Sequence, residues 1–396
     1  MNHLDRREWL RLATAAGAAL TLGSLPAWGN AANRKPPDYF RPGGIWLDTN
    51  GKPIHAHAGS IMQVGDTFYW YGENKEKTDL KTGLWHWGMR AYSSKNLVDW
   101  TDLGLIVPPV LDNPGSTLAP KSLADRPHIL YNRKTRKFVC WIKIMHPEDW
   151  SQSRTVLVAD QITGPYTLVR EHIRPFGMSA GDFDLVAAPD GKAYMIFERV
   201  HTEMIVADLT DDYTGFSGYY STHFPQDQPP FTREGPAYFF RKGKHYLFTS
   251  GTSGYHPNPS EVAVAETFHG PWTVLGDAHP RDRTRTSFSS QICSVFKHPG
   301  KQDLYIALAD RWIHNLPELE GPSFHTGEAS TRFQGYYAKN LAPGGSILTA
   351  GEKAALEALE SRIEPAKARH VWLPVLFDGD RPYIDWREQW SLDEFA

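Results

Sequence analysis

The feature that most constrains this chain is a phrase that returns five times: a small or polar head, a run to a tight turn, then an aromatic or aliphatic strand. His57-Ala58-Gly59 leads through Gly65-Asp66 to Phe68-Tyr69-Trp70-Tyr71, and Ala124-Asp125-Arg126-Pro127 leads to Phe138-Val139-Cys140-Trp141. Gly181-Asp182 leads through Pro189-Asp190-Gly191 to Tyr194-Met195-Ile196-Phe197, and Glu234-Gly235-Pro236 leads through Lys242-Gly243 to the run from Tyr246 to Thr249. Ser290-Gln291 leads through Pro299-Gly300 to Leu304-Tyr305-Ile306-Ala307. The heads fall at 57, 125, 182, 234 and 291, a period of about 50 to 70 residues that suits four-stranded propeller blades with loop insertions. Five units predict an all-β fold, a five-bladed β-propeller over residues 42–396.

Punctuation between the units supports that count. Gly164-Pro165-Tyr166-Thr167 and Gly270-Pro271-Trp272-Thr273 are related closing phrases, and Asn50-Gly51 marks a hairpin ahead of the first repeat. Tyr383 to Trp386 is expected to pair with the N-terminal strands and close the ring, which would remove exposed edges. One stretch breaks the pattern. After Asp310-Arg311-Trp312 the chain turns polar, and Thr349 to Ile363 has helical spacing with a capping threonine, so a short helical insertion in the last blade is expected at about residues 315–368.

The first 33 residues do not belong to the repeats. Arg6-Arg7 precedes a mildly apolar Ala/Leu stretch and then small residues, the pattern of a twin-arginine signal peptide, so a periplasmic or secreted protein is expected. The apolar part is too short for stable membrane insertion. With 42 Lys+Arg against 45 Asp+Glu, no basic field for nucleic acid is present. Fourteen Trp and 17 Tyr exceed the needs of a core and suit stacking on the apolar faces of sugars, so the expected partner is an oligosaccharide or polysaccharide and the expected state a monomer. Cys140 and Cys293 lie in apolar strands of different units and read as buried free thiols. His55 and His57 have no Cys or carboxylate at a metal-ligand offset, so neither a metal nor a cofactor is expected, and the two read as polar groups lining the central cavity.

In a propeller the starts of the innermost strands converge on one axial face, which would bring Asp125, Asp182, Glu234 and Gln291 to one pocket. Carboxylates around a pocket suit glycoside hydrolysis. An inverting enzyme needs a protonated carboxylic acid for the leaving oxygen and a base for water, about 6.5 to 9.5 Å apart. Glu234 is the candidate acid, and either Asp125 or Asp182 would keep it protonated by like-charge repulsion.

From about Trp46 to the end, interrupted by the insertion, these residues carry a family resemblance. Ile54-His-Ala-His-Ala-Gly59, Phe68-Tyr-Trp-Tyr-Gly-Glu73, Arg126-Pro127, Glu234-Gly-Pro236, Thr252-Ser-Gly-Tyr-His-Pro-Asn-Pro259, Ser290-Gln291 and Asp310-Arg-Trp312 resemble glycoside hydrolase family 43, and within it the exo-β-1,3-galactanase branch. The resemblance implies inversion and release of galactose from β-1,3-galactan or arabinogalactan, with Glu234 as general acid and Gln291 holding the attacking water. Asp125 completes the implied catalytic set. Glu73, Asp182 and Thr252 match sugar-binding positions, with Trp150 or Tyr255 as stacking surfaces, while Trp312 reads as core. Most of the family has an aspartate base on the first blade; here His55-Ala-His57-Ala58 fills that place, as in the galactanase branch. Two departures stand out: Asp125 replaces a glutamate before Arg-Pro, and Gly181-Asp182-Phe183 replaces a more charged phrase. An α-L-arabinofuranosidase or β-xylosidase of the same family, or a non-catalytic sugar-binding propeller, stays open as an alternative.

Overall fold

The computed structural model describes residues 39–396; the expected signal peptide lies outside the described residues. Blade 1 comprises β1 (His57–Val64), β2 (Thr67–Glu73), β3 (Met89–Ser94) and β4 (Thr101–Val107). Blade 2 comprises β5 (Leu123–Asn132), β6 (Lys137–Met145), β7 (Gln152–Ala159) and β8 (Thr167–Ile173), and blade 3 comprises β9 (Ala180–Ala187), β10 (Ala193–Arg199), β11 (Glu203–Leu209) and β12 (Phe216–His223). Blade 4 comprises β13 (Arg233–Arg241), β14 (Lys244–Gly251), β15 (Glu261–Ala265) and β16 (Thr273–Asp277); blade 5 comprises β17 (Gln291–Lys297), β18 (Tyr305–Arg311), β19 (Arg369–Asp378) and β20 (Arg381–Tyr383). Each sheet is antiparallel with its strands in chain order, and the first strands pack on one another around the ring from β1 through β5, β9, β13 and β17 back to β1.

Burial explains why the repeats could be read. The second strand of each blade is covered on both faces by neighbouring blades, so β6 and β14 are almost entirely buried and read as continuous apolar runs. The fourth strands β8, β12 and β16 are largely exposed and carry little signal. Cys140 and Cys293 are buried free thiols in β6 and β17.

Every first strand slips register at its head: between His57 and Ser60, Asp125 and His128, Ala180 and Phe183, Glu234 and Ala237, and Ile292 and Ser294. Such bulges bend a strand and re-aim its side chains, here at the end of the ring where the five heads meet. Ala58, Arg126 and Gly235 take left-handed backbone at these bulges, with φ of 49°, 49° and 57°. The strand direction also sorts the loops. At the far face the turns are short, as at Gly65-Asp66 and Lys242-Gly243, whereas the long connections all lie on the head face.

Two expectations need correction. Tyr383 pairs with Leu376 inside blade 5 rather than with N-terminal strands. The ends are tied instead by a two-residue bridge, Phe40 with Trp390, whose rings stack at 4.4 Å while Trp390 Nε1 donates to the Trp372 carbonyl at 2.8 Å. All four strands of blade 5 come from one stretch, so the ring closes by packing β17 on β1. The insertion, too, holds more helix than the single expected one: α1 (Leu316–Glu320), α2 (Glu328–Asn340) and α3 (Ala350–Glu360). Helix α3 starts with the expected capping box, Thr349 with Glu352. Helix α2 is the unexpected one. It follows Gly327, which offers no side-chain cap, and is held by docking: Phe333 stacks on His256 at 3.8 Å, and Ser330 Oγ donates to the Arg285 carbonyl at 2.8 Å.

Candidate active site

The bulged heads and the ends of the second strands place a dense set of charges on the ring axis. Glu234, at the start of β13, is reached by Gln291 of β17: the amide Nε2 donates to Glu234 Oε1 at 3.2 Å and to Ser250 Oγ at 2.8 Å. Gln291 Oε1 accepts from Arg126 Nη2 at 2.5 Å, so the amide is held in one orientation by three partners. Arg126 also pairs through Nε with Asp182 at 2.7 Å, and its main-chain N–H donates to Glu73 Oε1 at 2.7 Å.

Two lysines that sequence reasoning did not single out knit the rest together. Lys75 reaches Glu73 at 2.8 Å and Asp125 at 3.3 Å, and Lys143 reaches Asp182 at 2.8 Å and Asp125 at 3.5 Å. Trp85 Nε1 donates to Asp125 Oδ1 at 2.7 Å, and the Lys75 ammonium lies 4.6 Å over the Trp85 ring. Buried charges persist only when paired in this way. Lys75 lies on the loop after β2 and Lys143 is in β6; each looks in sequence like an ordinary strand-end lysine.

The electrostatics separate the carboxyl groups. Burial pushes Glu234 well above the usual carboxylate range, and the charges of Asp182 and then Glu198 push it further, against Arg126 and Lys143. Among the neighbouring charges Asp182, rather than Asp125, adds most to the upward push that burial begins. For Asp182 itself burial acts upward, but Arg126 and Lys143 outweigh it and bring the group down to about 2. Asp125 is likewise held below its usual range, burial being outweighed by Lys75 and Lys143. Burial raises Glu73 and Glu198 to about 7 each. Glu198, in β10, was not anticipated. Its carboxylate fills the space beside Gly181, where a Cβ would come within 2.0 Å of Oε2. The glycine in Gly181-Asp182 is the sequence trace of that close approach.

The other expected residues divide. Tyr255 stands over the site between Trp85 and Trp312, with ring centroids at 6.1 and 5.3 Å. Thr252 is buried with its hydroxyl on Thr232 and contacts none of the charged groups. Trp150 is 66% exposed on the turn between β6 and β7, on the head face. Trp312 is buried, as expected of core, and also borders a cavity of about 10 Å³ with Gln291, Ser250 and Asp310, space for about one water. His57 does not line that cavity. It is fully buried beneath it, with Nδ1 2.8 Å from Asp310 Oδ1, and His370 Nδ1 approaches the same oxygen at 3.2 Å. His57, Asp310 and His370 form the one group among the described residues close enough to hold a metal ion. The ring brings them together from 57, 310 and 370, a spacing no sequence pattern discloses.

The axis of the propeller thus carries a buried carboxyl group pushed upward in pKa, beside an oriented amide and ion-paired carboxylates, an arrangement suited to proton transfer to a polar ligand. The family model of glycosyl hydrolases family 43 matches residues 52–314, and the chain belongs to that family of glycoside hydrolases. Among solved structures it is similar to the family 43 β-1,3-galactosidase BT0265, with 26% identity and a TM-score of 0.67 over 90% of this chain. It spans 64% of that protein's length. It is also similar in fold to the exo-β-1,3-galactanase of Phanerochaete chrysosporium with β-1,3-galactotriose, at 22% identity, a TM-score of 0.68, and 89% and 68% coverage of the two chains. The β-1,3-galactosidase BT3683 with galactodeoxynojirimycin gives 23% identity, a TM-score of 0.68, and 89% and 100% coverage. No curated protein matches the chain. No helix among the described residues is long and apolar enough to cross a membrane.

Proposed function

We propose that this glycoside hydrolase releases galactose from β-1,3-galactan or arabinogalactan-type glycans with inversion, Glu234 acting as general acid and Gln291 positioning the water. The observation that carries the reading is the Gln291 amide, held by Arg126, Glu234 and Ser250 where most of the family relies on an aspartate of the first blade. Its 3.2 Å contact with Glu234 is shorter than the span an inverting pair needs, so that bond has to open when sugar and water enter. His57 stands at that first-blade position, tied to Asp310. A neutral amide is a poor proton acceptor, and the guanidinium on Oε1 lowers its basicity further, so Gln291 orients the water while the proton passes by relay to an ionised carboxylate of the cluster, Asp125. Burial, with the charge of Asp182, favours the protonated form of Glu234, while Glu73 and Asp125 are fixed by Lys75 as acceptors for sugar hydroxyls. Tyr255 offers the stacking face. The Arg6-Arg7 leader supports export, which would place the reaction in the periplasm or outside the cell.

The test is product release from β-1,3-galactobiose, an arabinogalactan, and aryl arabinofuranosides and xylosides, with Glu234→Gln in parallel. Galactose is expected, with kcat in the variant down by about 10²–10⁴, the usual worth of a general acid. Arabinose or xylose would replace the substrate assignment and leave the acid in place; silence on all of them would point to a sugar-binding propeller.

A further inference from the structure

The loop that delivers Gln291 takes a backbone course that L-residues rarely adopt. Ser287, Phe288 and Ser289 stand in the left-handed region in succession, with φ of 53°, 58° and 56°. In that region each Cβ crowds the following carbonyl oxygen, so left-handed residues ordinarily occur singly and favour glycine. No glycine relieves this run. It closes one left-handed turn, in which the Ser290 N–H donates to the Thr286 carbonyl at 3.2 Å, and the next residue is Gln291 at the start of β17. Strained backbone persists only where its surroundings hold it, and it gathers at functional sites.

The hold comes from Asp282. Its Oδ2 accepts the main-chain N–H groups of Thr286 and Phe288, each at 2.9 Å, and its Oδ1 accepts the N–H of Thr284 at 3.0 Å. Further ties reach the turn from other strands: Arg311 Nη2 donates to the Phe288 carbonyl at 2.9 Å, and Ser287 Oγ accepts the Ser260 N–H at 2.9 Å. Asp282 is the group that spans the turn, gripping the N–H groups on either side of Ser287. Ser289, Ser290 and Gln291 then line the cavity of about 10 Å³ in unbroken succession. Gln291 thus takes its place from the turn on one side and from its pairing with Asp310 on the other. When the contact with Glu234 opens, the amide keeps Arg126 and Ser250, and its reach depends on where the main chain sets the residue.

We propose that Asp282 is a positioning residue: it pins the left-handed turn, and the turn sets the reach of Gln291 towards the attacking water. This rests on Gln291 holding that water, as in the proposed function. The Asp282 carboxylate is engaged by main-chain N–H groups and the Thr284 hydroxyl, so its influence on the site passes through the main chain.

Position and turnover are read separately. The side-chain amides of glutamine are labelled with ¹⁵N in the full chain, and the Gln291 signal is assigned by its loss in Gln291→Ala. In Asp282→Ala that signal should shift while the remaining glutamine signals stay in place. On whichever sugar the enzyme releases, kcat should fall by about 10²-fold, the cost of a misplaced group. KM should change little, the mark of an interaction needed in the transition state. Adding Ser289→Gly, which takes left-handed backbone without the Cβ penalty, should return the signal towards its native position and recover part of kcat. Asp282→Asn keeps one acceptor oxygen and carries the same comparison if the alanine variant does not fold. An unmoved Gln291 signal in a folded Asp282 variant, or a double variant no closer to the native protein than the single one, overturns the proposal. A signal that moves and returns while kcat holds at the native level, or in a protein inert on every glycoside, supports the positioning and removes the water from Gln291, a failure of the proposed function alone.

Discussion

Replacing Arg126 with alanine should damage the site in a way that separates its three roles. The side chain pairs with Asp182 at 2.7 Å and orients Gln291, while the contact to Glu73 runs through the main chain and survives the change. Breaking a buried ion pair costs about 3–5 kcal/mol when the partner is stranded. Here Lys143 still faces Asp182 at 2.8 Å, so the low end of that range, about 3 kcal/mol, is expected, visible as a melting temperature several degrees lower. Freeing the Gln291 amide should cost about 10²–10³ in kcat, the worth of one preorganised donor. The pH profile supplies the sharper readout. Arg126 lowers the Glu234 pKa, so its removal raises it further and the acid stays protonated to higher pH. The alkaline limb of kcat/KM must therefore move upward. Arg126→Lys keeps the charge but not the fork that spans Asp182 and Gln291, and should lose kcat with a smaller move of the limb. An alkaline limb in Arg126→Ala that stays put or moves down, measured on a folded variant, would refute the electrostatic account.

Asp182→Asn should act in the opposite sense, because the lost negative charge is one that raises Glu234, and the alkaline limb should move to lower pH in the same assay. The variant should also flatten the acid arm of the stability curve. A carboxylate depressed from 3.8 to about 2 in the fold contributes stability that is present above 3.8 and lost as pH falls through that interval. Thermal melts between pH 4 and 2 check it. Gly181→Ala puts a methyl group within 2.0 Å of Glu198 Oε2, and overpacking of this kind costs about 1–3 kcal/mol. The double change with Glu198→Ala should recover part of that loss, which a double-mutant cycle measures directly.

The reach of the sequence differs from element to element. Blades were legible through their second strands, since β2, β6, β10, β14 and β18 are sealed on both faces and admit little polar substitution. Heads were legible as well: His57, Asp125, Asp182, Glu234 and Gln291 all fall at the bulged starts of first strands. Lys75, Lys143 and Trp85 were not, because each gains its role from bridging to a carboxylate of the next blade, Lys75 and Trp85 to Asp125 and Lys143 to Asp182. Glu198 was hidden because its contact with the Gly181 backbone forms only when β9 and β10 pair, and helix α2 because an uncapped segment with few apolar residues becomes helical only when Phe333 finds His256.

Taken alone, the chain determines five repeats, the order of their strands and the residue type at each head, since local turns and apolar runs depend on near neighbours in sequence. Closing the ring decides the rest. It makes Asp182, rather than Asp125, the neighbouring charge that adds most to the effect of burial on Glu234, and it gathers His57, Asp310 and His370. These are interactions between groups far apart in the chain, whose strength depends on distance and burial, and both quantities come into being only when the blades pack around the ring.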